Sequence, residues 1–135
     1  MRDIVLIEDE PAVAGMVRIV LQDEGYRVCV AQNGKTGLQL VRETHPDLVL
    51  ADMMMPILDG EAVARSIHAD PQLTDVPVVL MSAGRGPTPD LEGLYEAFLS
   101  KPFELDTLLD VVAQQIRSSE TRNGEPDIRG KDQDR

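Results

Sequence analysis

The sequence has 135 residues, of which 42% are hydrophobic and 3% aromatic, and its formal net charge is -11. This length suits one domain with an aliphatic core, and the single cysteine, Cys29, excludes an internal disulfide. Acidic chains disfavour nucleic acid, whose binding depends on Lys and Arg neutralising phosphates. No apolar run approaches the roughly 20 residues that cross a bilayer, and no signal peptide is recognisable. We therefore expect a cytoplasmic protein with no membrane partner and no direct nucleic-acid partner.

The first third of the chain alternates apolar runs with amphipathic segments. "DIVLI" (3–7) predicts a buried strand, after which Pro11 begins a helix and Gly25 ends it. "YRVCVA" (26–31) predicts a second strand, and the next helix stops before Pro46 because the residue preceding a proline disfavours helical backbone angles.

The same alternation continues to residue 116. Three further strands are predicted at "DLVLA" (47–51), "VPVVLMS" (76–82) and "AFLS" (97–100). Val63 and Ile67 mark a third helix, and the last helix has an apolar face from Leu105 to Ile116. Strands that alternate with helices predict a doubly wound, five-stranded parallel sheet of α/β class with right-handed crossovers.

Two stretches interrupt this pattern. "AGRGPTPD" (83–90) has two glycines and two prolines, so we expect a shortened or irregular fourth helix, with one short helical segment near "LEGLYE" (91–96). From Ser118 the chain is polar and has no period. We therefore predict one domain over residues 1–117 and a disordered C-terminal tail, or the start of a linker, over residues 118–135.

Polar residues stand where four of the five predicted strands end. The first strand is followed by Glu8 and Asp9, the third by Asp52, the fourth by Ser82 and the fifth by Lys101. Doubly wound sheets bind ligands at the carboxyl ends of their strands, so these side chains should share one edge. Three carboxylates repel one another unless a cation lies between them, and Mg2+ prefers such oxygen ligands. The sequence therefore predicts a magnesium site.

The same residues are suited to phosphoryl transfer onto a carboxylate. Asp52 would be the nucleophile, Lys101 would contact a phosphoryl oxygen, and Ser82 would donate one more hydrogen bond. Met54 would contribute its backbone carbonyl to the metal, because a thioether is a poor ligand for a hard cation.

Five segments resemble the receiver domains of two-component response regulators, the CheY-like proteins with a flavodoxin-like (βα)5 fold. They are "IEDE" (7–10), "NG" (33–34), "PDLVLADMMMPILDG" (46–60), "PVVLMSA" (77–83) and "FLSKPF" (98–103). The resemblance covers residues 2–117. It implies that the protein is a signalling phosphoacceptor and not an enzyme acting on other substrates. Such a phosphoacceptor catalyses only its own phosphorylation and dephosphorylation.

The resemblance also implies a role for each matching residue. Asp52 would accept a phosphoryl group from a histidine kinase or phosphotransfer protein, and the modified domain would switch a surface read by an unknown effector protein. The other roles are metal binding by Glu8, Asp9, Asp52 and the Met54 carbonyl, switching by Ser82 and Phe98, and a catalytic lysine, Lys101, in a cis peptide bond with Pro102.

Two departures from the family pattern carry expectations. Ser82 and Lys101 are 19 positions apart, a few fewer than is usual, so the partner surface near the fourth helix should be non-standard. The side chains two residues after the acceptor and after the switch hydroxyl, which often tune hydrolysis in this family, are those of Met54 and Gly84. Neither can orient an attacking water by hydrogen bonding, so we expect slow autodephosphorylation.

Two other functions fit parts of the pattern. A Mg2+-dependent phosphohydrolase also uses an Asp nucleophile, but such enzymes typically have two aspartates spaced by one residue after the first strand, where this chain has "EDE". A degenerate receiver could act only as a binding scaffold, although every expected site residue is present. "NGKTG" (33–37) resembles a phosphate-binding loop, but Cys29 occupies the position of its first glycine.

Overall fold

The computed structural model describes residues 1–122, with side chains described as far as Glu120. Its five parallel strands form one sheet in the order β2–β1–β3–β4–β5. The strands are β1 (Asp3–Ile7), β2 (Arg27–Ala31), β3 (Leu48–Asp52), β4 (Val78–Ser82) and β5 (Ala97–Ser100). The predicted doubly wound fold is therefore confirmed, and β1 and β3 meet where the strand order reverses.

Helices cover both faces of this sheet. Those on one face are α1 (Pro11–Asp23) and α4 (Leu105–Arg122), and those on the other are α2 (Gly34–Thr44) and α3 (Gly60–Ala69). α1 ends where Gly25 adopts φ 95°, and the side chains of Asn33 and Asp59 cap the first turns of α2 and α3. Within residues 1–122, no helix combines the length and apolar character that a membrane crossing needs.

The core has two layers because successive strand residues point to opposite faces. In β1, Ile4 and Leu6 pack towards α1 and α4, whereas Val5 and Ile7 pack towards α2 and α3. All five residues of β3 and of β4 are buried. This explains why those strands are continuous apolar runs rather than alternating ones.

The segment between β4 and β5 contains only one turn of 3-10 helix, Pro89–Leu91, within residues 83–96. The shortened helix is confirmed, but its expected position at "LEGLYE" (91–96) is wrong. Gly93 adopts φ 87°, which stops a helix there, and Leu91 anchors the turn by being fully buried.

α4 continues beyond the domain boundary that we expected at residue 117. Ser119 is buried and its hydroxyl donates to the Asp75 carbonyl at 3.1 Å, while Glu120 forms an ion pair with Arg2. These contacts extend the helix to Arg122, so the expectation of a tail beginning at Ser118 is wrong for residues 118–122. Residues 123–135 lie outside the described part of the chain.

Candidate functional site

The register of the sheet brings Glu8 and Asp52 to the same level. Ile7 pairs with Ala51 on the neighbouring strand, so the next residues, Glu8 and Asp52, follow side by side. Asp52 pairs with Met81, which places Ser82 one residue further along β4. Asp52 and Ser82 are the last residues of their strands, because the chain turns away at this edge of the sheet.

Lys101 joins the two buried acids. Ser82 pairs with Ser100 on β5, so Lys101 follows at the same edge, and its long side chain reaches the acids. Its Nζ lies 2.5 Å from Glu8 Oε1 and 2.8 Å from Asp52 Oδ2. The side chains are 12% exposed for Lys101, 7% for Asp52 and 0% for Glu8. Asp52 therefore presents a small accessible area beside an ammonium group.

The acids outnumber this cation and form an oxygen-rich cluster. Carboxylate oxygens of Glu8, Asp9 and Asp52 lie within 4.8 Å of one another, and Asp9 is the more accessible of the three residues. One ammonium cannot neutralise three carboxylates, and oxygen donors at this spacing suit a hard divalent cation such as Mg2+. The residues present therefore fit the implied magnesium.

Met54 lies next to this cluster through its backbone. Its N–H donates to Asp52 Oδ1 at 3.0 Å, and the residue is 69% exposed. The preceding N–H, that of Met53, donates to the Met81 carbonyl at 2.8 Å and continues the pairing of β3 with β4. The main chain at residue 54 is thus held beside the Asp52 carboxylate.

The surroundings shift two pKa values in the site. Burial raises the pKa of the Glu8 carboxyl to about 7, with Asp52 adding to the rise and the hydrogen bond from Lys101 opposing it. Burial by itself would lower the pKa of Lys101, but its hydrogen bonds to Asp52 and Glu8 outweigh that effect and raise it. Lys101 therefore carries its positive charge at neutral pH.

The remaining site residues predicted from the sequence lie on the β4–β5 side. Ser82 is buried, and its Oγ accepts a hydrogen bond from the Gly84 N–H at 3.1 Å. Phe98 pairs with Leu80, two residues before Ser82, and packs partly buried against the α2 and α3 layer of the core. The Lys101–Pro102 peptide bond is cis. The structure thus brings Ser82 and Lys101 to the edge of the sheet that holds Asp52, whereas Phe98 lies earlier on β5, three residues before Lys101.

Sequence reasoning missed two glycines that support this site. A Cβ atom at Gly60 would lie 2.5 Å from the Asp52 carbonyl oxygen, and one at Gly34 would lie 2.0 Å from the Leu58 carbonyl oxygen. Both glycines are the first residues of helices and follow a capping Asn33 or Asp59. A glycine directly after a cap, where many residues are tolerated, was the signal available in the sequence.

Two solved structures that are similar to this chain contain magnesium. The receiver domain of the sensor histidine kinase PA1611 from Pseudomonas aeruginosa, with a magnesium ion coordinated in its active site cleft, is 27% identical with a TM-score of 0.76; the match covers 85% of this chain and 97% of that chain. The response regulator TrrA from Thermotoga maritima, in complex with Mg2+ and BeF, is 27% identical with a TM-score of 0.74, over 85% and 99% of the two chains.

Relatives of known function are longer proteins. The DNA-binding response regulator MtrA of Mycolicibacterium smegmatis is 36% identical over 126 residues, which are 90% of this chain and 54% of MtrA. The DNA-binding dual master transcriptional regulator RpaA of Synechocystis is 31% identical over 123 residues, which are 89% of this chain and 51% of RpaA. The chain thus spans about half the length of these relatives.

These relatives correct the expectation that no nucleic acid is a direct partner. That expectation rested on the net charge of -11, which belongs only to the residues of this chain. The relatives are DNA-binding proteins, and only about half of each one matches this acidic chain. The charge of one half therefore does not predict the partners of a protein of this kind, and the expectation is wrong.

The family assignment rests on most of the chain. The family model described as the response regulator receiver domain matches residues 4–113, which include every candidate site residue from Glu8 to Pro102. The fold, its strand order and the relatives agree with that match. The chain belongs to the family of response regulator receiver domains.

Proposed function

We propose that Asp52 is the phosphoacceptor of this receiver domain, and that the donor is a histidine kinase or a phosphotransfer protein. The observation that carries this proposal is the position of Asp52, which is 7% exposed, 2.8 Å from the Lys101 ammonium and next to two further acids. A carboxylate that merely capped a helix would need neither the lysine nor the acids. Asp59, not Asp52, caps α3.

The proposed reaction is an in-line phosphoryl transfer. A carboxylate oxygen of Asp52 forms a bond to phosphorus while the phosphorus–nitrogen bond of the donor histidine breaks, and that electron pair returns to the imidazole. Lys101 would leave its contact with Asp52 Oδ2 to bind an oxygen of the transferred group. The Met54 N–H, now on Asp52 Oδ1, would keep the carboxylate oriented.

Glu8, Asp9, Asp52 and the Met54 carbonyl would hold the Mg2+ ion. When bound, the ion would neutralise charge on the phosphoryl oxygens during transfer. The Ser82 hydroxyl would donate a hydrogen bond to a phosphoryl oxygen, and its displacement would be passed to Phe98 on the neighbouring strand. In this proposal the chain catalyses only its own phosphorylation and dephosphorylation, and its cytoplasmic location stays a prediction.

Intact-mass measurement with acetyl phosphate and Mg2+ tests the acceptor. The native chain should gain one phosphoryl group, and neither Asp52→Asn nor native chain with a chelator should gain any. Asp75→Asn is the matched control, because the Asp75 carboxylate contacts His45 and is not part of the acid cluster. Phosphorylation of Asp52→Asn to the native level would overturn the proposal. Steady release of phosphate from simple phosphate esters would instead favour a phosphohydrolase.

The lifetime of the phosphorylated form should be long. The Met54 side chain is 69% exposed and offers no hydrogen bond donor, and the position of Gly84 has no side chain at all. Neither can hold a water in line with phosphorus, so hydrolysis should take minutes or longer, and Met54→Asn should shorten it. Decay of the phosphorylated native chain within seconds at neutral pH would contradict this prediction.

We infer that the output of the switch is DNA binding, since the relatives MtrA and RpaA are DNA-binding regulators of about twice the matched length. The acidic receiver would then control DNA contacts made by another domain or protein. Crosslinking the tagged chain in its native cells should recover specific DNA, and Asp52→Asn should reduce that recovery. Recovery no greater than from untagged cells would contradict the inference.

A further inference from the structure

The loop between β3 and α3 contains a strained turn. Ile57 has φ 71°, and the Leu58 N–H donates to the Pro56 carbonyl at 2.8 Å, which closes a three-residue γ-turn around Ile57. Positive φ is unfavourable for a β-branched residue, and this form of γ-turn is rare. The Ile57 side chain is 77% exposed, so its own burial does not compensate for the strain. The surrounding structure must hold the turn in place.

The Leu58 side chain packs against the core, and the main chain of the turn is supported by α2. A Cβ atom at Gly34 would lie 2.0 Å from the Leu58 carbonyl oxygen and 2.7 Å from its carbonyl carbon. The approach is therefore between two main chains, and no side-chain rotation could make room for a larger residue. The side chain of Asn33, directly before Gly34, caps α2, and this cap keeps the first residue of the helix beside Leu58.

The same loop carries the main chain that faces the acid cluster. At its start, the Met53 N–H is tied to β4 and the Met54 N–H to Asp52 Oδ1. At its end, Asp59 caps α3 and Gly60 lies against the Asp52 carbonyl. Between these ends, the main chain of the turn is supported by the contact of Gly34 with Leu58, which lies four residues after Met54.

We propose that Gly34 is a positioning residue for divalent-cation binding, although it touches none of the acids. Its close contact with the Leu58 carbonyl holds the strained turn at Ile57, and the turn sets where the Met54 carbonyl lies. The inference rests on the proposed function, in which that carbonyl is a magnesium ligand. A methyl group at position 34 would push Leu58 away by about 1 Å or more to reach van der Waals distance, and the carbonyl would shift with the loop.

Gly34→Ala tests the proposal, with Gly15→Ala as its matched control. Gly15 lies in α1, where an added Cβ would meet no atom within 4 Å. Isothermal titration calorimetry with Mg2+ alone should show a dissociation constant about tenfold higher for Gly34→Ala and unchanged for Gly15→Ala. With acetyl phosphate, Gly34→Ala should need more Mg2+ for half-maximal phosphorylation yet reach the native rate at saturation. A merely structural defect would lower the melting temperature without moving the Mg2+ constant.

A second substitution tests whether Gly34 acts on the Met54 carbonyl through the turn at Ile57. Ile57→Gly removes the steric cost of positive φ, so the main chain at residue 57 can bend and absorb a displacement of Leu58. By itself it should change the Mg2+ constant little, because the Gly34 contact persists. Combined with Gly34→Ala it should restore most of the lost affinity, a coupling that a double-mutant cycle measures. Loss of affinity that Ile57→Gly cannot restore would overturn this route.

The outcomes separate the inference from the proposed function. A native chain that neither binds Mg2+ nor gains a phosphoryl group overturns the proposed function. A native chain that does both, alongside Gly34→Ala with an unchanged Mg2+ constant, overturns the inference alone. Should Gly34→Ala fail to fold, amide exchange in the native chain decides: Mg2+ should slow exchange at Leu58 together with Met54, and protection of Met54 without Leu58 would contradict the inference.

Discussion

Two loops leave neighbouring strands at the same edge of the sheet and are supported in different ways. Residues 53–59, after β3, are held by main-chain contacts, namely Met53 with Met81 and the close approaches of Gly34 and Gly60. Residues 83–96, after β4, have main-chain hydrogen bonds chiefly within their own turn, apart from the Glu96 N–H, which donates to the Val78 carbonyl at 2.8 Å. Their other ties to the fold include the buried side chain of Leu91 and the Asp90 carboxylate, which accepts from Arg65 at 2.6 Å.

The two loops are therefore suited to different tasks. The first loop holds the site residues in place, and the second can change conformation when the site changes. Main-chain packing leaves the first loop little freedom, which suits a segment that must keep the Met54 main chain beside Asp52. The second loop begins directly after Ser82, whose Oγ accepts from the Gly84 N–H, and its main-chain tie to β4 lies at its far end, so a small movement of the hydroxyl can rearrange its start. We expect substitutions in the first loop to affect chemistry and stability, and those at exposed positions of the second loop to affect neither strongly.

Removing the lysine should have the largest effect. The Lys101 ammonium contacts both Glu8 and Asp52, and Lys101→Met removes this positive charge from the site. Phosphorylation by acetyl phosphate at saturating Mg2+ should slow by about 100-fold or more, measured by intact mass. Lys35→Met, on an exposed position of α2, is the matched control. A rate for Lys101→Met within a few-fold of native would argue against a role in transfer.

Magnesium should stabilise the folded chain. A ligand that binds only the folded state at 100 times its dissociation constant adds about 2.7 kcal/mol to the free energy of unfolding. Thermal unfolding with Mg2+ or a chelator measures this gain, which Asp9→Asn should reduce. Glu10→Gln, next in sequence but with an exposed side chain, should keep the gain. Equal stability of the native chain with and without Mg2+ would count against the metal site.

Two glycines, one at the end of the first loop and one within the second, give the most direct test of the comparison. Gly60→Ala would place a Cβ atom 2.5 Å from the Asp52 carbonyl oxygen, whereas a Cβ atom at Gly84 would meet nothing within 4 Å. Urea unfolding should show Gly60→Ala destabilised by about 1–3 kcal/mol and Gly84→Ala changed by less than about 0.5 kcal/mol. Similar effects at both positions would remove the distinction between the loops.

The ion pair that ties the second loop to α3 should matter least. Arg65→Gln removes the contact with Asp90, which is exposed, so the melting temperature should fall only slightly and phosphorylation should be unchanged. Arg42→Gln, whose partner Asp70 lies 3.7 Å away at the other end of α3, is the control. A large loss of stability in Arg65→Gln alone would show that the second loop is more firmly held than we infer.

The pH dependence of this small effect has a defined sign. The Thr88 hydroxyl, and to a lesser degree Arg65, holds the pKa of Asp90 below its ordinary value of 3.8. A carboxyl with a lowered pKa contributes stability above the unfolded-state pKa and loses it as the pH falls through the folded-state pKa. The difference between native chain and Arg65→Gln should therefore be present at pH 7 and shrink below about pH 4. A difference that grows on acidification would contradict this assignment.

Much of the fold and of the site composition was predictable from the sequence. Apolar runs separated by glycine, proline and capping residues predicted all five strands within two residues of their ends, because buried parallel strands and helix termini leave local signals. The order of strand ends then predicted that Glu8, Asp52 and Lys101 would meet. The end of α4 was not predictable in this way, because Ser119 is buried in the tertiary structure and its hydroxyl donates to the carbonyl of Asp75, 44 residues away.

The sequence by itself determined which chemical groups this protein has at one edge of its sheet. Acids, a hydroxyl and a lysine each follow an apolar run, and parallel strands bring such positions together whatever the loops do. Only the tertiary structure decided how closely those groups are held. The approach of Gly34 to the Leu58 carbonyl and the positive φ of Ile57 join a helix to a loop 24 residues later. Main-chain packing of that kind depends on how layers of the fold meet, and the local sequence marks the glycine after the helix cap but not the residue that it contacts.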